Sequence, residues 1–212
     1  YKDMCYNEPV SWITFALGTL FSLINFVKFS NNSDFILITF FWFGAITMQF
    51  WEANIHKYKN NPRLCNIYTK GAFYNNIFQP LFLLLAVFVD FYKTKKLSSE
   101  SITVILVLVF YFYGLYTQDT LKSSNEDYCA YRPDGIVYNW WRNMSGLLYF
   151  STIFILLLLV FKGNYIFQIA LFFGSYLISN LIRFGDSGSI WCWIASLIPI
   201  VNYFYFGIIT KS

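Results

Sequence analysis

Apolar segments of about 20 residues recur along most of this chain, and that length lets a helix cross the hydrocarbon core of a bilayer. Only 12% of the 212 residues are charged and 57% are hydrophobic, whereas a soluble domain normally carries about 25% charged residues. Too little polar surface remains to cover a water-soluble globule. The sequence therefore predicts an integral membrane protein whose first partner is the lipid bilayer.

The apolar segments predict an all-α protein, a polytopic membrane helix bundle with seven transmembrane helices in a single domain over residues 1–212. The predicted spans are 9–29, 35–54, 71–92, 102–119, 144–161, 165–183 and 190–209. Pro80 lies inside the third span, where proline removes a backbone hydrogen bond and bends a helix. A bend is therefore expected in that span.

The end of the second predicted span carries the most informative polar residues of the chain. Gln49, Glu52 and His56 are spaced three and four residues apart, so they share one face of a helix. A carboxylate close to hydrocarbon is costly unless it faces protein, a ligand or water. Glu52 therefore marks the centre of a candidate site.

An odd number of spans places the two termini on opposite sides of the membrane. The side of the N-terminus, called the near side here, then also holds the connectors 55–70, 120–142 and 184–189. All four cysteines fall at this side, namely Cys5, Cys65, Cys129 and Cys192. They are disulfide candidates with three alternative pairings, or else some of them are buried apolar residues. Bridged cysteines would place the near side in an oxidising compartment.

Basic residues give a mixed signal about orientation. The near-side connectors contain more Lys and Arg, but they are longer and also hold most of the acids, whereas the short far-side connectors are more uniformly basic. We expect an extracellular or lumenal N-terminus and a cytoplasmic C-terminus. The net charge is only +4 and the basic residues are scattered, so no nucleic-acid partner is expected.

Polar residues of the spans concentrate at the near-side ends, and the far halves are almost purely aliphatic and aromatic. This pattern predicts a polar cup between the helices, which is the usual place for a ligand. Arg183 would pair with Glu52, Asp119 or Asp186, because an unpaired buried charge is costly. The candidate ligand-binding residues are Glu8, Gln49, Glu52, Asn76, Gln79, Asp119 and Arg183. The alternative is that these residues only meet headgroups and water.

Metal and cofactor chemistry is not expected. Glu52 and His56 could ligate one ion from adjacent turns, but His56 is the only histidine, and a zinc site normally needs several His or Cys ligands. A retinal pigment needs a lysine in the last span for its Schiff base, and the segment 190–209 contains none. We therefore predict neither a metal nor a cofactor.

Four short motifs occur in order along the chain: Asn7-Glu8-Pro9, Met48-Gln49 with Glu52, Gln79-Pro80, and Gly-Ser-x-Trp-Cys-Trp from Gly188 to Trp193. Their order resembles an uncharacterised family of seven-span membrane proteins of large DNA viruses and algae. The resemblance implies the seven-span topology and no particular activity. It also adds Trp191 to the candidate ligand-binding residues.

Three functions fit this architecture. A ligand-binding protein, receptor-like or transporter-like, would hold a small molecule or a lipid headgroup in the near-side cup. A membrane-embedded enzyme acting on lipid would use Glu52 or Asp119 as its general base. A structural or assembly protein would pack its aromatic surface against other spans, including those of a second copy in a homo-oligomer. The apolar far halves argue against a continuous transport path, so we expect ligand binding without catalysis.

Overall fold

The computed structural model describes residues 7–118, 128–132, 135–136, 138, 144–161, 166–182 and 187–209. Their regular structure is almost entirely helical, which confirms the all-α fold class. The helices are α1 Glu8–Lys28, α2 Ser33–Lys57, α3 Pro62–Phe78, α4 Leu84–Thr94, α5 Ser99–Thr117, α6 Met144–Phe161, α7 Ile166–Ile182 and α8 Ser187–Ile209. A 3-10 segment, Gln79–Leu83, joins α3 to α4.

Helix α2 is the central element of the bundle. It contacts α1, α3, α8 and the 3-10 segment. Its buried side chains include Ile46 and Met48, which are about 200° apart around the helix and so point to nearly opposite sides. A helix that is apolar on all sides is normally buried on all sides. Around this centre α1 packs on α8, α7 packs on α8, and α5 packs on α6.

Asparagine side chains define where three of the helices begin. Asn7, Asn32 and Asn61 are the N-caps of α1, α2 and α3. Their Oδ1 atoms accept from backbone N–H groups of the first turn, for example at 3.0 Å from Val10 N to Asn7 Oδ1. An N-cap acceptor satisfies an N–H that the helix leaves without a partner.

The third predicted span is interrupted rather than simply bent. Helix α3 begins at Pro62, so much of the predicted connector before Gly71 is helical. Pro80 has no N–H to donate, and the chain tightens into 3-10 turns from Gln79 to Leu83. The Tyr111 hydroxyl of α5 donates a hydrogen bond to the Ile77 carbonyl at 3.2 Å. This bond satisfies a carbonyl to which Pro80 has no N–H to donate.

The long near-side connector contains a small β element that the sequence did not predict. Strand β1, Tyr131–Arg132, pairs antiparallel with strand β2, Gly135–Ile136. A disulfide between Cys65 and Cys129 ties this connector to α3, with the two Cα atoms 5.2 Å apart. Beside it, the Ala130 N–H donates to Thr69 Oγ1 at 3.0 Å. The connector is therefore fixed to the near-side half of α3.

Helix α1 buries its small and polar residues and exposes its apolar residues. The buried residues are Ser11, Thr14, Gly18, Ser22 and Asn25. The exposed apolar residues include Ile13, Leu17, Leu20, Leu23 and Val27. Small residues at helix contacts are typical of membrane bundles, in which lipid tails solvate the apolar faces. The burial pattern of α1 therefore suits a lipid environment.

Within the described part of the chain, four helices are long and apolar enough to cross a membrane: Glu8–Lys28, Asp34–Lys57, Ser99–Thr117 and Trp191–Ile208. Gly146–Val160 and Ile166–Ser179 are shorter apolar helices. A span of 18 or more apolar residues is the normal signature of a transmembrane helix. Length and composition are therefore those of an integral membrane protein.

Gly18 lies where α1 approaches α8 and α2 closely. A Cβ atom there would be 2.5 Å from the backbone oxygen of Ser196 and 2.9 Å from Ile46 Cγ1. We expect Gly18→Ala to lower the free energy of unfolding by about 1–3 kcal/mol, because overpacking displaces neighbouring helices. The measurement is the thermal unfolding midpoint in detergent. Gly174→Ala is the control, since a Cβ there meets nothing within 4 Å, and equal midpoints would contradict the close approach.

Candidate functional site

A buried polar cluster surrounds Glu52 in the near half of the bundle. Gln49 and Glu52 share one face of α2, and their exposed fractions are only 1% and 2%. Gln49 Nε2 donates to Glu52 Oε2 at 2.8 Å, and the Thr14 hydroxyl of α1 lies 3.0 Å from Gln49 Oε1, to which it donates. Both ends of the Gln49 amide are therefore used, and its orientation is determined by its partners.

Tyr138 of the connector covers this cluster from the near side. Its hydroxyl donates to Glu52 Oε1 at 3.1 Å, and the Tyr138 side chain is buried. Burial, with the Glu52 carboxylate close by, raises the pKa of Tyr138 well above its ordinary value. The phenol therefore keeps its proton and remains a donor. The Cys192 thiol lies within electrostatic range of both residues.

Contacts along the connector hold Tyr138 in this position. The disulfide and the Ala130–Thr69 hydrogen bond fix one end of the hairpin, and Ile136 of β2 is buried. His56 packs edge-on against Tyr131, with the ring centroids 5.7 Å apart. The end of α2 that carries His56 therefore packs against strand β1.

Two amide side chains at the break between α3 and the 3-10 segment have unsatisfied hydrogen-bonding groups. Asn76 and Gln79 are both fully buried. Gln79 Oε1 accepts from the Tyr149 hydroxyl of α6 at 2.7 Å. No described residue, however, pairs with Gln79 Nε2 or with either Nδ2 or Oδ1 of Asn76. An unpaired buried polar group costs about 1–3 kcal/mol, so both residues carry costly unmatched polar groups inside the bundle.

The unsatisfied amides lie at mid-depth along α2 rather than at its end. A Cβ atom at Gly44 would be 3.3 Å from Gln79 Cγ, and Gly44 is close to the middle of α2. Asn75 lies at the same depth along α2, because its Nδ2 donates to the Gly44 carbonyl at 3.0 Å and its Oδ1 accepts from Thr47 at 2.6 Å. Polar side chains at such depth are costly and commonly functional.

The other predicted site residues have contacts outside the Glu52 cluster or lie outside the described residues. Glu8 lies in the first turn of α1, next to the N-cap Asn7, where an acid favours the helix start. Trp191 is buried and donates from Nε1 to Ser175 Oγ at 3.0 Å, so it joins α8 to α7. Asp119, Arg183 and Asp186 lie outside the described residues.

Of the four predicted disulfide candidates, two form a bridge, one is a free thiol and one lies outside the described residues. Cys65 and Cys129 form the disulfide described above. Cys192 is not a disulfide residue, because helix α8 places it inside the bundle as a free, buried thiol. Cys5 lies outside the described residues. Of the three alternative pairings, the structure therefore shows the bridge between α3 and the connector.

Sequence reasoning missed several residues of the site. Thr14 belongs to the small and polar stripe of α1, whose spacing of three and four residues could have revealed a buried face. Tyr138 and Tyr149 gave no such signal, since an isolated tyrosine in a chain with 17 of them is unremarkable. Among the described residues, no group of three His, Cys, Asp or Glu is placed to hold a metal ion.

Comparison of the chain with protein-family models, with curated proteins and with solved structures finds no match. These comparisons neither support nor contradict the resemblance to the viral and algal seven-span family. What the chain does must therefore be inferred from the geometry of its own site.

Removing the Tyr138 hydroxyl tests the hydrogen bond from Tyr138 to Glu52. We expect Tyr138→Phe to lower the free energy of unfolding by about 1–3 kcal/mol, because a buried carboxylate oxygen loses a donor. Thermal unfolding followed by fluorescence measures the change. Tyr113→Phe is the matched control, since Tyr113 is 65% exposed on α5. If both variants unfold at the wild-type temperature, the Tyr138 hydroxyl does not hold Glu52.

Proposed function

We propose that this chain is a multi-pass membrane protein of seven spans that binds a small polar ligand, free or as a lipid headgroup, beside Glu52, Asn76 and Gln79. Helix α3, the 3-10 segment and α4 together form the third span in this proposal. The exposed apolar residues of α1 and α5 support it, because such faces are stable only against lipid or another apolar partner. Membership of the viral and algal seven-span family is part of the same proposal.

The unsatisfied amides of Asn76 and Gln79 carry the proposal. Together they offer N–H donors from both side chains and one carbonyl acceptor from Asn76. A ligand that both accepts and donates hydrogen bonds, such as an amide or a hydroxyl compound, would satisfy all three groups. The buried amide of Gln49 provides the contrast, since both of its ends already have protein partners.

Binding fits the arrangement of Glu52 better than catalysis does. A general base must reach the proton of its substrate within hydrogen-bond distance, directly or through one water. Both Glu52 oxygens already accept hydrogen bonds, one from Gln49 and one from Tyr138. The two Glu52 oxygens are therefore held in position by Gln49 and Tyr138, which suits a binding role.

The disulfide supports an extracellular or lumenal near side. Disulfides persist in oxidising compartments and are rare in the cytosol. The bridge between Cys65 and Cys129 lies at the near-side end of α3. An extracellular or lumenal N-terminus and a cytoplasmic C-terminus follow if the chain crosses the membrane seven times.

Apolar replacement of one amide at a time tests the binding proposal through stability. We expect Asn76→Leu to raise the free energy of unfolding of the ligand-free protein by about 1–3 kcal/mol, because it removes unpaired buried polar groups and keeps the branched shape of the side chain. Gln49→Met should lower it by a similar amount, since its partners Thr14 and Glu52 lose a hydrogen bond. Thermal unfolding in detergent measures both. Destabilisation by Asn76→Leu would show that this amide is structural and would remove the support for a ligand.

Labelling of introduced cysteines tests the orientation. Lys59 is exposed in the connector after α2, and Lys96 is exposed in the connector after α4. In intact cells that carry the protein in the plasma membrane, an impermeant maleimide should label Lys59→Cys and should label Lys96→Cys only after permeabilisation. The reverse pattern would invert the orientation. Labelling of both in intact cells would contradict the number of spans between them.

A further inference from the structure

A second buried polar cluster lies in the far half of the bundle, where the sequence predicts almost only apolar residues. Trp42 Nε1 donates to Gln168 Oε1 at 2.8 Å, and Gln168 Nε2 donates to Asn202 Oδ1 at 2.7 Å. All three side chains are 1% exposed. They belong to α2, α7 and α8, so the cluster crosses the interior of the bundle.

Helix α1 contributes two more buried polar residues to this region. Asn25 Nδ2 donates to the Pro199 carbonyl at 2.9 Å, about one turn before Asn202 in α8. Within the described structure, Ser22 Oγ, Asn25 Oδ1 and Asn202 Nδ2 have no hydrogen-bond partner. Polar residues that only join membrane helices normally bond to one another across the contact. The unmatched hydroxyl, carbonyl and amide instead fit a small molecule that donates and accepts hydrogen bonds.

Aromatic rings close this region towards the far side. Phe29, the C-cap of α1, follows Asn25 by one helical turn, and Phe206 follows Asn202 by one turn in α8. The rings of Phe35 and Phe206 stack with centroids 4.0 Å apart, and Phe29 packs on Phe206 at 5.4 Å. These rings lie at the far-side ends of α1, α2 and α8, three of the four helices that carry the polar residues of this region.

Two further contacts close the route between the clusters and at the near side. Between the two clusters, Gly18 lies against Ser196 and Ile46, so close that a Cβ atom would clash with both. At the near side, Tyr138 covers Glu52. Along the seam of α1, α2 and α8, the Glu52 cluster and the far cluster thus alternate with closures.

We propose that the two clusters are the binding regions of one path, along which a small uncharged solute that donates and accepts hydrogen bonds crosses the membrane, and that the structure is its closed form. The proposal rests on the ligand-binding function proposed above and adds passage to it. The far cluster consists of amides, a hydroxyl and an indole, so it suits an uncharged solute.

The helices beside the path carry the features that its opening requires. Pro80 interrupts the third span, and Pro199 lies inside α8. Interrupted helices beside a mid-membrane polar site are typical of transporters, in which half-helices move. Polar residues inside membrane helices also commonly mark a substrate path. Opening would therefore require displacement of these two helices rather than unfolding of the bundle.

Accessibility of an introduced thiol in the far cluster tests the path. Ser22→Cys is nearly isosteric, and the serine hydroxyl has no partner among the described residues, so the variant should fold. The probe is methyl methanethiosulfonate, a small neutral reagent that modifies thiolates in contact with water, applied in a background with Cys5→Ser and Cys192→Ala. Ala195→Cys is the control, because Ala195 is fully buried in the apolar core of the same seam.

We expect the reagent to label Ser22→Cys about ten times faster than Ala195→Cys, because the thiolate forms only where water enters. Adding Phe206→Ala should accelerate labelling of Ser22→Cys further and leave Ala195→Cys unchanged, since it removes a ring of the far closure. Equal rates for Ser22→Cys and Ala195→Cys, with and without Phe206→Ala, would overturn the path.

Asn76→Cys in the same background separates the two proposals. If Asn76→Cys and Ser22→Cys both react faster than Ala195→Cys, the near site and the path are both supported. If Asn76→Cys reacts and Ser22→Cys does not, ligand binding at Asn76 and Gln79 stands and passage fails. If neither reacts, both proposals fail together.

Discussion

The hydrogen-bonded carboxylate of Glu52 is the interaction on which the near half of this bundle depends. A carboxylate in a low-dielectric interior is costly unless its oxygens accept strong hydrogen bonds. Gln49 supplies one donor from the same helix, and Tyr138 supplies the other from the connector. Through Gln49 the network also reaches Thr14 of α1. One acidic residue therefore determines how α1, α2 and the connector meet, and the disulfide keeps the connector close enough to take part.

Buried polar groups in this protein divide into those that hold helices together and those without a protein partner in the described structure. The Gln168 amide belongs to the first kind, because it bonds to Trp42 on one side and to Asn202 on the other. Asn76 belongs to the second kind. In a membrane, where lipid tails cannot satisfy polar groups, this difference separates packing residues from candidate binding residues.

Local sequence patterns predicted the helices well and their contacts poorly. Helix α6 has the bounds that the apolar run predicts, 144–161. Helix α3 begins well before its predicted span, because a polar segment can continue a helix when tertiary contacts cover one face; Cys65 and Thr69 are such buried positions. The far cluster was missed because Gln168 and Asn202 each stand alone in an apolar span, and nothing local shows that they face one another.

The amino-acid sequence by itself determined the all-α class and the shared face of Gln49 and Glu52, because hydrophobic length and helical spacing are local properties. The tertiary structure decided which side chain meets which. It paired Cys65 with Cys129, brought Tyr138 onto Glu52, and left Asn76 without a partner among the described residues. These outcomes depend on contacts between residues far apart in the chain, and such contacts are set by how whole helices pack rather than by any local pattern.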